Sequence, residues 1–279
     1  MAEGLFGPDT VTWHLHADPA MWVAGVCGLY LQSLHPKAVA AVVQNSRFRE
    51  DPLGRLRRTG DFVGVTTYGT LEAAETAARR VRQVHRRLSA VDPRTGEDIR
   101  LDDPDLLLWV HCAEVHSFAD VVGRAGLPLT GAQVDRYFDE QRRVAALVGL
   151  DPEAVPGSRR EMADYFARVR PELSRTEDSE VVYRFLHLPF DQWWLLGVDL
   201  GYLPLGHLAY STQPRWAHEV HGHPAYPRLV TAAGLFSFRT AALALPPAVR
   251  WRYPTGHVYR AVERLGAGAF PSPAALARL

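Results

Sequence analysis

Apolar residues in this chain recur three and four positions apart almost throughout, and strict apolar/polar alternation is nearly absent. A period of 3.6 residues gives a helix one buried face, so the chain is predicted to be all-α, a single multi-helix domain. The punctuation agrees. Asp18-Pro19, Asp51-Pro52 and Asp103-Pro104 each join a side chain that accepts first-turn N–H groups to a residue suited to that turn. They predict a helix over Asp18 to Leu34 with Asp18 as its cap, and others starting at Asp51 and Asp103. Further helices are expected from Pro36 to about Ser46, from Leu71 to about Ser89, from Thr130 to Leu147, from Glu161 to Val169 and from Ala232 to Leu243. Gly64 and Gly69 are expected to loosen the chain after Thr59, Asp92 to Asp102 to form a polar connection, and Glu180 to Tyr210 to fold as short, deeply packed helices.

Two of these helices turn a histidine inward. In the first, Ala74, Ala78, Val81, His85 and Leu88 share one face; in the second, Leu107, Leu108, His111, Val115 and Phe118 do. His35 ends a third apolar helix, and Arg55 and Thr59 lie one helical turn apart.

Charge and cysteine content remove whole classes of function. Basic and acidic residues balance at 31 each, which leaves no net field to gather nucleic acid. Cys27 and Cys112 lie in apolar segments without the spacing of a zinc site or a heme-attachment motif, and read as buried small hydrophobes. Met1 to Thr10 lacks a basic run followed by an apolar core, and the apolar run Trp22 to Leu31 is short of the roughly 20 residues that span a bilayer. A cytoplasmic protein without a membrane anchor is expected.

Several catalytic arrangements fail on spacing. In His218-Glu219-Val220-His221-Gly222-His223 the first two histidines are three apart rather than four, so they do not share the face that an HExxH zinc helix needs, and a histidine-rich surface loop is expected. A metal-dependent hydrolase on His218, His221 and His223 stays open as a rival. A di-iron bundle would need two Glu-x-x-His pairs; His111-x-x-Glu114 runs in the reverse order. Nucleophile-elbow and phosphate-loop motifs are absent. What remains is an inward imidazole, a cation and an apolar slot, the parts a b-type heme uses, although an inward histidine is also an ordinary core residue.

Three blocks decide how these parts are to be read: Leu31-Gln32-Ser33-Leu34-His35-Pro36, Asn45-Ser46-Arg47-Phe48, and Asp51-Pro52-Leu53-Gly54-Arg55-Leu56-Arg57-Arg58-Thr59. In order and spacing they resemble the opening of the MpaB and latex-clearing (rubber) oxygenase family. Val84-His85-Arg86-Arg87, Asp103 to His111 and Tyr137-Phe138-Asp139-Glu140 are similar to its later blocks. The resemblance implies an all-helical fold with a globin-like core around one noncovalent heme b. His85 would be the iron ligand, its other ring nitrogen donating to a carbonyl or carboxylate. His111 and then His35 are the next choices. Arg55 would face the propionates and Thr59 the pocket wall.

The implied activity is oxidation of a small or medium apolar substrate by dioxygen, with an electron donor possible, and Phe190, Trp193 and Trp194 are candidates for the pocket lining. The alternative is a noncatalytic binder of heme or of a hydrophobic ligand. Two departures from the family pattern stand out: Arg58 occupies the place of a lysine that caps the iron in latex-clearing proteins, and Leu88 with Ser89 or Ala90 replaces a Val and a Gly. No carboxylate near Val39 matches the base of rubber cleavage, so that reaction is not implied.

Overall fold

A computed structural model describes residues 4–190, 196–252 and 256–279. The helices in chain order are α1 Val11–Leu15, α2 Met21–Gln32, α3 Pro36–Asn45, α4 Pro52–Tyr68, α5 Leu71–Arg87, α6 Pro104–Arg124, α7 Gly131–Val148 and α8 Arg159–Val169. They continue as α9 Glu177–His187, α10 Leu196–Ser211, α11 Arg215–His221, α12 Arg228–Ala244, α13 Pro247–Arg250, α14 His257–Leu265 and α15 Pro273–Leu276. Among the described residues there are also two short strands, β1 Ser89–Val91 and β2 Asp98–Arg100. The all-α expectation holds.

At the centre α2 packs on α6, and Gly28 makes the close approach: a Cβ there would lie 3.5 Å from Glu114 Cα. Around this seam Tyr30, Leu31, Trp109, Cys112, Val121 and Val122 are sealed from solvent. Trp109 Nε1 donates to the Gln32 carbonyl at 3.0 Å, so the largest core side chain leaves no polar atom unmet. α6 is long and apolar enough to span a bilayer, but most of its surface is buried in this bundle.

Asp51 and Asp103 cap α4 and α6 as expected, accepting from Gly54 N and Asp105 N. Asp18 does otherwise. α2 begins at Met21, while the Asp18 carboxylate accepts from Ala20 N at 2.9 Å and from Arg239 Nε at 2.8 Å, an ion pair that ties α12 to the start of the chain. Gly64 does not loosen α4, which runs unbroken to Tyr68. The missing side chain instead makes room for the His257 ring, which a Cβ would strike.

The polar connection after α5 is a β-hairpin, with Ser89 opposite Arg100, Ala90 opposite Ile99 and Val91 opposite Asp98. Its edge is covered from α3. The Gln44 side-chain amide donates to Val91 O at 2.8 Å and accepts from Val91 N at 2.9 Å, taking the place of a third strand.

The short helix α1 is held from α7. Glu140, 4% exposed, accepts from Val11 N at 3.0 Å and from Thr12 N and Thr12 Oγ1 at 2.8 Å, and pairs with Arg136 at 3.0 Å. An anion thus meets the free N–H groups at the positive end of the helix. Trp13 then binds the far end of the chain, donating to Ala269 O at 2.8 Å, while Tyr68 OH donates to Trp13 O at 2.8 Å.

Candidate active site

α4 and α5 fold back on each other through Gly69 and Thr70, which brings Arg55, near the start of α4, beside His85, in the last turn of α5. His85 is half-buried, and its Nδ1 is buried with no hydrogen-bond partner among the described residues. Burial lowers its pKa, and the Arg55 charge lowers it further, so the imidazole is neutral and able to act as a ligand. The expected donation from one ring nitrogen to a carbonyl or carboxylate is not made among the described residues.

Arg55 has one side open to solvent and the other in an apolar recess of about 80 Å³ with Val39, Val42, Phe48, Val110 and Phe185. Burial in that recess, followed by the charge of Arg58, lowers its pKa from the usual guanidinium range. Thr59 lines a second, larger cavity of about 160 Å³, its hydroxyl donating to Arg55 O at 3.2 Å.

The two cavities lie along the same pair of helices, α2 and α6. On α2, Leu29 and Gln32 face the smaller and Trp22 and Gly25 the larger; on α6, Val110 faces the smaller and Phe118 the larger. Glu114 lies on α6 midway between Val110 and Phe118, one helical turn from each, and so on the same side of the helix. It forms no hydrogen bond or ion pair among the described residues, and burial pushes its carboxyl up to about 7. It is the residue that reading the sequence for known motifs missed. The visible signal was a lone carboxylate in the largely apolar stretch Leu106 to Phe118, which also holds His111, His116 and Ser117.

His16 closes the larger cavity. Its Nδ1 is 2.8 Å from Thr67 Oγ1 and its Nε2 is 3.0 Å from Tyr137 OH. Thr67 already donates to Val63 O at 2.7 Å, so it accepts from His16 Nδ1–H, and Tyr137 donates to Nε2. Burial drives His16 down to about 3, which keeps it neutral.

The other sequence-selected residues separate. His111 is buried on α6 with Nε2 unpartnered among the described residues, and burial lowers it to about 4. His35 caps α3, accepting from Ala38 N at 3.4 Å through Nδ1, with Nε2 3.8 Å from Glu172, so its ring serves the helix end. Arg58 faces the outer groove between α4 and α5 and pairs with Asp51 at 3.1 Å. Trp193 and Trp194 lie outside the described residues.

The histidine-rich segment is not a surface loop. It forms α11, which ends at Gly222 in the left-handed region (φ 70°), and His221 is completely buried. His218 Nε2 bonds Tyr210 O at 2.9 Å, and His223 Nε2 bonds Glu180 at 2.8 Å. Among the described residues no three His, Cys, Asp or Glu side chains gather as a metal cluster there or elsewhere.

The family model described as the ER-bound oxygenase mpaB/B'/rubber oxygenase catalytic domain matches residues 13–266. The chain belongs to this family. It is thus an oxidoreductase with an oxygenase catalytic domain, and the match takes in every element from α2 to α14. No curated protein and no solved structure gives a match. Within this oxygenase domain, the block Tyr137-Phe138-Asp139-Glu140 has a supporting part: Tyr137 fixes His16 and Glu140 anchors α1.

Proposed function

We propose that the protein is a heme b-dependent oxygenase that uses dioxygen to oxidise a small or medium apolar substrate. The observation that carries this reading is His85, a neutral imidazole with an unpartnered buried nitrogen, set beside Arg55, whose side chain lines an apolar recess. A porphyrin iron needs only one protein ligand, and the donor set suits it: one imidazole, one cation for propionates, and apolar walls.

His85 would hold the iron and Arg55 a propionate. When bound, heme supplies the activation of dioxygen that an oxygenase requires. The chain's own part is to orient the substrate and keep bulk water away from it, which the walls of Leu29, Leu56, Val63 and Phe118 favour. Glu114, with a pKa near neutrality, can hold or release a proton between Val110 and Phe118 on α6, where no hydrogen-bond partner among the described residues competes for it. Arg58 faces the outer groove and is engaged with Asp51, so it is no ligand to the iron.

The test is dioxygen uptake by the reduced, heme-loaded protein with a panel of apolar substrates and an artificial electron donor. Substrate-dependent uptake is expected. Arg55→Ala should weaken heme retention by roughly 10- to 100-fold, the worth of a charge-assisted hydrogen bond. Stable heme binding with no uptake for any substrate would replace this reading with that of a noncatalytic heme binder.

A further inference from the structure

α12 is amphipathic in the inverted sense. Its inward side rests on Thr231 and Leu235, while Leu229, Ala232, Ala233, Phe236 and Leu243 form a stripe open to solvent, with Leu229 85% and Phe236 62% exposed. Leu245 and Val249 carry the exposed apolar surface on into α13. A soluble helix ordinarily turns such a stripe to the core.

Charge indicates what covers it. Although the whole chain is neutral, no carboxylate occurs between Glu219 and Glu263, a stretch that contains Arg228, Arg239, Arg250, Arg252 and Arg260. Arg239 is neutralised by Asp18; Arg228 and Arg252 are exposed beyond the two ends of the stripe. A second copy of this face would bring arginines against arginines with no acid from this segment to match them. Anionic headgroups around a buried apolar stripe would match both features.

The stripe also leads to the larger cavity. Arg250 and Trp251 line the larger cavity, and Trp251 stacks on Phe270, itself partly exposed, with ring centroids 5.9 Å apart. Aromatic rings at that level are suited to a lipid–water boundary.

We infer that α12 and α13 form a peripheral docking surface for an anionic lipid bilayer, laid so that the larger cavity opens at the membrane. Resting on the oxygenase reading above, this narrows the substrate class to apolar molecules dissolved in that bilayer.

Co-sedimentation of the full chain, heme-loaded and heme-free, with phosphatidylcholine vesicles with and without phosphatidylglycerol tests the docking apart from catalysis. Wild type is expected to sediment with the anionic vesicles, less so at high salt. L229E/F236E, whose positions lie in solvent, should lose at least tenfold in binding with unchanged melting temperature, and Arg228→Gln should lose part of it. Three results would overturn the inference: no binding to anionic vesicles, equal binding by the double variant, or a dimer in solution that the double variant makes monomeric. None of these touches the heme reading, which fails only on heme content or dioxygen uptake.

Discussion

Glu140→Ala is expected to destabilise the protein by about 3–5 kcal/mol, the cost of breaking a buried ionic network from one side. One carboxylate meets two backbone N–H groups and a hydroxyl of α1 and pairs with Arg136, while Gln141 Nε2 donates to the same Thr12 hydroxyl at 3.0 Å. Removing it leaves Val11 N and Thr12 N buried without acceptors at the positive end of a five-residue helix too short to persist alone. Because α1 carries Trp13, the contacts of Trp13 to Ala269 and Tyr68 should loosen with it. Glu140→Gln, which keeps one acceptor but no charge, should fall between. Urea unfolding followed by circular dichroism measures both, and a loss below about 1 kcal/mol for the alanine variant would mean that α1 is held by apolar packing.

Acid should unfold the protein well above the pH at which ordinary carboxylates protonate. His16 is driven to about 3, and His111 and His221 to about 4, all by burial. Each regains a pKa near 6.5 on unfolding, so the unfolded chain binds more protons below that pH. Their stabilising contribution is complete above about pH 6.5 and is lost as pH falls toward 4, at up to about 1.4 kcal/mol per pH unit for each group. Glu114 acts in the opposite sense. Its raised pKa of about 7 means stability is lost as pH rises from about 4.5 to 7, which offsets one histidine but not three. The net loss between pH 7 and pH 4 is several kcal/mol, comparable with the whole stability of a typical domain.

Melting temperatures across that range should fall steeply for wild type and less steeply for His221→Phe. That variant removes a titrating group whose two ring nitrogens are unpartnered among the described residues. Parallel curves for the two proteins would remove His221 from the explanation.

Local chemistry was readable where it decides structure unaided. Asp51, Thr70, Asp103 and Thr130 cap the helices that their sequence neighbours imply, and the faces that carry His85 and His111 turn inward because burial of apolar residues at helical spacing leaves no other orientation. Long-range partners were not readable. Asp18 looked like a cap but is claimed by Arg239, more than two hundred residues away; Gly64 looked like a break but makes room for His257. The hairpin after α5 has too few residues to show alternation and depends on Gln44, a side chain from a helix, to cover its edge.

The candidate site divides in the same way. The nearness of Arg55 to His85 follows from two helices joined by a two-residue turn, whereas the cavities lined by Arg55 and Thr59 need α2 and α6, which only the folded chain brings together. His35 was indistinguishable in sequence from a ligand because the same ring chemistry caps a helix. Glu114 was passed over since its order relative to His111 fits no di-iron motif, and a solitary carboxylate fits no motif at all.

The most direct measurement is the absorption spectrum and pyridine hemochrome of protein expressed with a heme precursor, for wild type, His85→Ala and His111→Ala. About one heme per chain is expected for wild type, with the Soret band lost or shifted in His85→Ala and retained in His111→Ala. A band unchanged in His85→Ala and lost in His111→Ala would transfer the ligand to α6, and wild type free of heme despite ample supply would contradict the heme-dependent reading altogether.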